Sequence, residues 1–313
     1  MIYTISLNPS VDYIVEVDEL RENYKNRMKN DLRVPGGKSI NVARVLRRLG
    51  MPSVATGFLG GYAGEFIKDW LNMEGINTSF IEIDDETRIN IKLYKQNIII
   101  NGKGPNISFN EQSEFLYFIS RIREGDTIIL MGSLPPNVDE DIQDRIISIC
   151  KANGAEFIVD STAEKLKDFI KRGPLMVKPN ISDVEEIFNI KIEDEPTLIE
   201  CGKKILAMGA KHAIISLGKD GAYLFSGDCV YKGDGVKGDE VRTEGVRDSM
   251  IAGFIATYIR TADLEESFKI AMACATATAF SKDLARREQI EKISKEIVSI
   301  GGASISTLGI IVV

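Results

Sequence analysis

Short apolar, β-branched runs alternate with helical patterns along most of this 313-residue chain. A buried parallel sheet needs such apolar strands, and each parallel connection needs a crossover long enough for a helix. The alternation therefore predicts an open, mostly parallel α/β sheet with helices on both faces. The predicted strands are 2–8, 53–59, 126–132, 155–160, 175–179 and 212–218, and the predicted helices are 40–50, 63–75, 143–154 and 198–210.

Two segments interrupt this alternation. Residues 13–35 and 88–103 alternate apolar with polar residues, which is typical of a sheet with one polar face. We therefore predict a small β lid, made of 13–35 and 88–103, on a main domain made of 1–12, 36–87 and 104–313. Such a lid excludes water and completes a site. A pair of ordinary surface hairpins is the alternative.

Composition narrows the classes of partner. The formal net charge of −7 disfavours nucleic-acid binding. Four distant cysteines lack the spacing of a zinc site or a disulfide framework, so buried free thiols are expected. The first residues lack the pattern of a signal peptide, and the apolar segment 303–313 is too short to span a bilayer, so it should form a last strand or a loosely ordered tail. We expect a cytoplasmic protein with no membrane partner.

Polar residues follow several predicted strands, where ligands bind in parallel α/β sheets. Asp12 in "LNPSVD" follows the first strand, and Ser133 in "GSLPP" follows the third. Gly37 precedes a helix that begins near Lys38, and the amides at that position can bind an anion or a sugar hydroxyl. A Walker A loop is excluded because Leu32 stands where the motif requires glycine, and a plain helix entry remains the alternative.

Four other polar segments complete the set. The first is "TRIN", which places Arg88 where the chain enters the lid, and the second is "VKPNISD", which contains Lys178, Asn180 and Asp183. The third is "SLGKDGA", with Ser216, Gly218 and Gly221. The fourth is "TEGVRDSMIAGF", with Gly245, Val246, Arg247 and Asp248. In the last segment, helical spacing begins at Asp248, so the loop before it is a helix N-terminus. Its amides can stabilise developing phosphoryl charge, and Asp248 can act as a base or simply as an N-cap.

The single histidine, His212, precedes a strand and has no G-x-S-x-G elbow to accompany it, so a structural role is expected. A nicotinamide dehydrogenase is disfavoured because the first strand is not followed by G-x-G-x-x-G.

These segments, with "GFLGGYAGEFI", "INGKGPNIS" and "ATATAFS", occur over nearly the whole chain in one order. In that order they resemble the ribokinase-like PfkB carbohydrate kinases, most closely the branch of the 1-phosphofructokinases and tagatose-6-phosphate kinases. The resemblance implies ATP and Mg²⁺, a phosphorylated ketohexose as substrate, and a homodimer formed through the lid. The leading expectation is conversion of fructose 1-phosphate to fructose 1,6-bisphosphate, with tagatose-6-phosphate kinase activity as the alternative.

The resemblance also implies roles for individual residues. Asp248 would be the catalytic base and Arg88 would hold the substrate phosphate. Asp12, Gly37, Lys38, Asn41 and Ser133 would bind the sugar phosphate. Asn180, residues Ser216 to Gly221 and the loop residues Gly245, Val246 and Arg247 would bind the nucleotide. Asn180 and Asp183 would also act on magnesium through water.

Three motifs depart from the family pattern. GGKG is "GGKS", NxxE is "NISD" and GAGD is "GVRD" in this chain. The third departure places Arg247 where the family has glycine, which permits backbone angles that residues with a Cβ disfavour. Either Arg247 is accommodated and activity survives, or the anion hole is distorted and the protein is a weakened homologue that binds ligand with little turnover.

Overall fold

The computed structural model describes residues 1–139, 141–241, 243–297 and 300–304. The strands are β1 (Ile2–Ser6), β2 (Ser10–Glu16), β3 (Asn30–Gly36), β4 (Ser53–Leu59), β5 (Asn77–Glu82), β6 (Arg88–Leu93), β7 (Ile98–Ile100), β8 (Thr127–Met131), β9 (Glu156–Asp160), β10 (Met176–Val177), β11 (His212–Ser216), β12 (Gly221–Ser226), β13 (Cys229–Asp234) and β14 (Ile300–Ser304). The helices are α1 (Lys38–Arg48), α2 (Gly61–Met73), α3 (Phe109–Ile119), α4 (Asp141–Ala152), α5 (Ala163–Ile170), α6 (Ile181–Phe188), α7 (Glu195–Met208), α8 (Val246–Thr261), α9 (Leu264–Ala279) and α10 (Arg287–Glu296), with a 3₁₀ turn at Gly218–Asp220.

The large sheet confirms the predicted α/β architecture. Its strand order is β14-β13-β12-β11-β10-β9-β8-β1-β4-β5. The strands β11, β10, β9, β8, β1, β4 and β5 run parallel to one another. The strands β12, β13 and β14 add an antiparallel edge. The prediction for 303–313 falls mostly outside the described residues, which end at 304.

Helices cover both faces of this sheet, as its apolar strands require. Successive side chains of a strand point to opposite faces. In β8, Ile128 and Leu130 therefore join the core beneath α3 to α7, whereas Ile129 and Met131 join the core beneath α1, α8, α9 and α10. Polar groups are costly in these two layers unless they are paired, so the strand ends are the favourable place for a polar site.

A second, four-stranded sheet of order β3-β2-β6-β7 is formed by the two segments that interrupt the alternation. Strand β2 pairs antiparallel with β3 and parallel with β6. Because β2 begins at Ser10, the small sheet includes Asp12, which the sequence pattern places in the main domain. The division of the chain into a main domain and a lid stays a prediction.

A buried arginine fixes helix α1 in the main layer. The guanidinium of Arg44 contacts Glu74 at 2.8 Å and Asp283 at 2.9 Å, and the side chain is almost fully buried. A buried charge requires such partners. The two carboxylates lie after α2 and before α10, so Arg44 ties α1 to both regions.

The histidine and the cysteines behave as structural residues. His212 packs against Phe254 and Tyr258, and its Nδ1 lies 2.8 Å from the Ser226 hydroxyl. Burial lowers the pKa of His212 to about 4. All four cysteines are free thiols, and only Cys229 is partly exposed. Among the described residues, no helix combines the length and apolar content needed to cross a membrane.

Candidate active site

Two neighbouring clefts open at the carboxyl ends of the parallel strands. The larger cleft has a volume of about 1000 Å³ and the smaller cleft a volume of about 530 Å³. The predicted site residues in the wall of the larger cleft are Asn180, Ser216, Gly218, Gly221, Val246 and Arg247, and those in the wall of the smaller cleft are Gly37, Lys38, Arg88 and Ser133. The nucleotide-binding and sugar-binding groups that line a cleft thus lie in different clefts, whereas Asp12, Asn41, Gly245 and Asp248 line neither of the two.

The floor of the larger cleft is a glycine turn between β11 and β12. Gly221 has a φ of +110°, and a Cβ there would lie 2.0 Å from the carbonyl oxygen of Gly233. Nearby, the buried Lys178 donates from Nζ to the Ser216 hydroxyl at 3.0 Å. Burial and then the charge of Arg247 lower the pKa of Lys178 to about 7. An anion in this cleft would favour the charged form of Lys178.

The motif "NISD" forms the N-terminus of α6. The Asn180 side chain accepts from the backbone N–H of Asp183 at 2.8 Å, and the Asp183 carboxylate accepts from the backbone N–H of Asn180 at 2.9 Å. This reciprocal pair is a capping box. The shorter aspartate in place of the family's glutamate is therefore used to close the helix end.

In the smaller cleft, Asn8 links two of the predicted binding residues. Arg88 donates from Nε and Nη2 to the Asn8 carbonyl at 3.2 and 3.0 Å. The Asn8 side chain donates to the Ser133 hydroxyl at 3.3 Å. Gly37, with a φ of +121°, turns the chain into α1 and places Lys38 in the same cleft.

The loop "GVRD" begins α8, and its residues Val246 and Arg247 lie in the wall of the larger cleft. Gly245 is the N-cap residue, with a φ of +77°, and it has no side chain with which to cap the helix. Val246 and Arg247 are the first two helical residues, and neither has a positive φ. The arginine therefore occupies an ordinary helical backbone, and the strain considered from the sequence is absent at this residue.

Asp248 lies in the first turn of α8, and only 4% of its surface is exposed. Its Oδ2 accepts a hydrogen bond from Asn41 Nδ2 at 2.8 Å. Burial raises the pKa of Asp248 to about 6, although the Asn41 amide acts against this shift. A carboxylate with a pKa near 6 is ionised at neutral pH and is a stronger base than an exposed aspartate.

A series of charged side-chain contacts connects the walls of the two clefts. Arg247 donates to Asp160 at 2.8 Å and to Asp183 at 2.7 Å. Asp160 also accepts from Lys38 Nζ at 2.6 Å. The order Lys38–Asp160–Arg247–Asp183 therefore runs from the smaller cleft to the larger one.

Asp12 lies in a second charged network that begins in the small sheet. It accepts from Asn90 at 2.8 Å, and the Lys92 ammonium lies 2.7 Å from its other oxygen. Lys92 also contacts Glu244 at 2.8 Å. Gly36 makes room for this carboxylate, because a Cβ on Gly36 would lie 2.4 Å from the Asp12 Cγ.

Sequence reasoning missed Asp160, Asn90 and Lys92. Asp160 is the last residue of a predicted strand, and the rule that ligands bind at carboxyl ends could have singled it out. Arg88, Asn90 and Lys92 alternate along β6 and share one face, so the period-2 pattern could have found the other two.

Comparison with known proteins identifies the family. A model of the pfkB family carbohydrate kinases matches residues 6–289. The chain belongs to this family. This carbohydrate kinase is 39% identical to a 1-phosphofructokinase of Bacillus subtilis, with 95% of the chain and 98% of the relative covered. It is 34% identical to a D-tagatose-1-phosphate kinase of Bacillus licheniformis, again covering 95% and 98%.

A solved structure, described as a candidate phosphofructokinase of Staphylococcus aureus, matches this carbohydrate kinase with a TM-score of 0.89 and 37% identity. The match covers 97% of this chain and 99% of the other. Tagatose-6-phosphate kinase of Staphylococcus epidermidis is 30% identical, covering 95% and 98%. The sequence resemblance to the branch of 1-phosphofructokinases and tagatose-phosphate kinases is confirmed.

Replacing Asn41 with alanine should raise the pKa of Asp248 above its value of about 6, because the amide of Asn41 stabilises the ionised carboxylate. Carboxyl ¹³C NMR across a pH series measures the titration, and the spectrum of the Asp248→Asn protein identifies the signal. Asn72→Ala, on the exposed side of α2, is the control. A midpoint that stays the same or falls in Asn41→Ala would contradict the expected contact.

Proposed function

We propose that this carbohydrate kinase transfers the γ-phosphoryl group of ATP to the 6-hydroxyl of fructose 1-phosphate, which gives fructose 1,6-bisphosphate. One observation carries the proposal: the buried carboxylate of Asp248 lies in the first turn of α8, next to Val246 and Arg247 in the wall of the larger cleft. Asp248 also accepts a hydrogen bond from Asn41 of α1, the helix that begins at Lys38 in the wall of the smaller cleft. Phosphoryl transfer requires a hydroxyl group and a terminal phosphate to meet beside a base.

Asp248 is the proposed base. Its pKa of about 6 leaves it ionised at neutral pH, so it can accept the proton of the attacking hydroxyl. The first-turn amides of α8 have no partners within the helix, and the helix dipole places positive charge at the same end. We infer that these groups stabilise the charge on the phosphoryl group as it is transferred.

The larger cleft suits a nucleotide. Its glycine turn would allow backbone to lie close to a ligand, and cationic side chains, among them Lys178, Arg247 and Lys219, line it together with the carboxylates of Asp220, Asp234 and Glu240. Within the described ranges, no group of three or more acidic, histidine or cysteine side chains could hold a metal ion. Magnesium is commonly held by substrate phosphates with few protein ligands. We therefore propose MgATP as the donor, with the phosphates as the main ligands of the ion and Asn180 and Asp183 acting through water.

The smaller cleft suits a phosphorylated sugar. Arg88 and Lys38 supply positive charge, and Ser133 supplies a hydroxyl group. Asp12 lies on β2 of the small sheet, which pairs with the strand that begins at Arg88, and we propose that it binds sugar hydroxyls with Gly37 and Asn41. The relatives named for fructose and for D-tagatose 1-phosphates both support a ketohexose 1-phosphate as the substrate class. Tagatose 6-phosphate, supported by the relative from Staphylococcus epidermidis, is the alternative.

The weakened homologue is the other alternative. The helical backbone at Val246 and Arg247 favours a working anion hole, because neither residue needs a glycine conformation. The guanidinium of Arg247 is held by two carboxylates, those of Asp160 and Asp183.

A coupled assay with MgATP and a panel of fructose and tagatose phosphates tests the reaction. Asp248→Asn should lower kcat by roughly 10²–10⁴, because the base is lost, while calorimetry still detects both substrates. In the wild-type protein, kcat/KM should fall as the pH drops below about 6, because Asp248 becomes protonated. Asp69→Asn, on the exposed face of α2, is the control. Near-normal kcat in Asp248→Asn would remove Asp248 from the role of base.

Arg88→Ala should raise KM for the sugar phosphate at least about ten-fold, because a charged hydrogen bond is lost, and should change KM for ATP less than about three-fold. Steady-state kinetics with each substrate varied in turn measures both constants. Arg33→Ala removes an exposed arginine from β3 of the same sheet and should change neither. Equal effects on the two constants in Arg88→Ala would refute the phosphate contact.

We also propose a homodimer formed through the small sheet. Ile91 and Ile100 are direct partners across β6 and β7, and Ile89 lies on the same face. Their exposed fractions are 39%, 54% and 51%. Exposed apolar clusters of this kind mark contact surfaces.

Ile100→Glu should convert the dimer to a monomer in sedimentation experiments, because it places a charge in the apolar contact. Ile190→Glu, at an exposed isoleucine outside the sheet, should leave the dimer intact. A wild-type protein that sediments as a monomer, or an Ile100→Glu protein that stays dimeric, would exclude this interface.

A further inference from the structure

The carboxylate of Asp160 is shared by two cations. Asp160 Oδ2 accepts from Lys38 at 2.6 Å, and Oδ1 accepts from Arg247 at 2.8 Å. Lys38 lies in the wall of the smaller cleft and Arg247 in that of the larger cleft. Only 3% of the Asp160 side chain is exposed. A carboxylate buried to this degree is strongly destabilised if it loses every cationic partner.

The two cations are held unequally. Arg247 contacts a second carboxylate, Asp183, at 2.7 Å, and Asp183 is itself fixed in the capping box of α6. Asp160 supplies the one salt bridge that Lys38 makes among the described residues. The Lys38 side chain is 44% exposed, against 26% for Arg247. An ammonium on a flexible stem changes partners more readily than a guanidinium held in a fixed fork.

We propose that Arg247 is a positioning residue that frees Lys38 for the phosphorylated substrate. A phosphate in the smaller cleft competes with Asp160 for the Lys38 ammonium. When Lys38 turns to the phosphate, Arg247 stays on Asp160 and keeps that buried carboxylate paired. Without Arg247, Lys38 would be the remaining salt-bridge partner of Asp160, and its departure would leave a buried charge unpaired.

This role differs from a direct contact between Arg247 and the nucleotide. The effect of Arg247 passes through Asp160 to the other cleft, so it should be measurable with no nucleotide present. The inference rests on the proposed function in one respect, the assignment of the smaller cleft to the sugar phosphate.

Calorimetric titration of the full-length protein with fructose 1-phosphate, without nucleotide, tests the inference. Arg247→Ala should raise Kd about ten-fold, because Lys38 must now leave an otherwise unpaired carboxylate. Arg247→Lys, which keeps the charge, should recover most of the affinity. Arg260→Ala, near the other end of α8, should leave Kd unchanged. If the alanine protein fails to fold, Arg247→Gln gives the same comparison.

The decisive measurement is the double variant. Asp160→Asn added to Arg247→Ala removes the charge that retains Lys38, so Kd should return to within about three-fold of wild type. A double variant as weak as Arg247→Ala, or an Arg247→Ala protein with normal Kd, would overturn the inference while leaving the proposed function intact. A wild-type protein that binds no sugar phosphate would overturn both.

Discussion

A parallel sheet buried on both faces leaves polar side chains one place to gather, which is the edge where its strands end. In this carbohydrate kinase, the two apolar layers extend over β1 and β8 to β11. Ser133, Asp160 and Ser216 therefore stand at or just after strand ends, where helix N-termini also converge. The position of the site is a consequence of the cost of placing unpaired charge within the apolar layers.

This constraint explains which features could be predicted from the sequence. The parallel core of the sheet, the helices α1, α2, α4 and α7 and the second small sheet follow from local periodicity, whereas β5, β12, β13, α3, α5, α9 and α10 are not among the predicted elements. The edge residues Lys38 and Asp248 follow from motifs beside predicted elements. The contacts made by Asp160 could not be predicted in the same way, because its partners lie 122 and 87 residues away in the chain. Pairing across such separations depends on the packed fold. The cytoplasmic location stays a prediction.

At Arg247, the backbone conformation and the charge of the side chain have separate consequences for the loop. The residue that needs a glycine conformation in the loop is Gly245, two positions earlier. At Arg247 the helix has already begun, so a larger side chain costs no left-handed strain there. Arginine in place of the family's glycine changes the local charge instead. Its guanidinium lies between Asp160 and Asp183 and forms a salt bridge with each of these carboxylates.

Lys92 gives the small sheet a mechanical connection to the start of α8. Its ammonium belongs to β6, yet one of its partners, Glu244, directly precedes the N-cap residue of α8. Burial lowers the pKa of Lys92, but Asp12 and Glu244 outweigh that effect and raise it, so the ammonium remains charged in this position. Tension applied to the sheet, for example by a second subunit docked on its outer face, would therefore be transmitted through the Lys92 side chain to the loop that precedes α8.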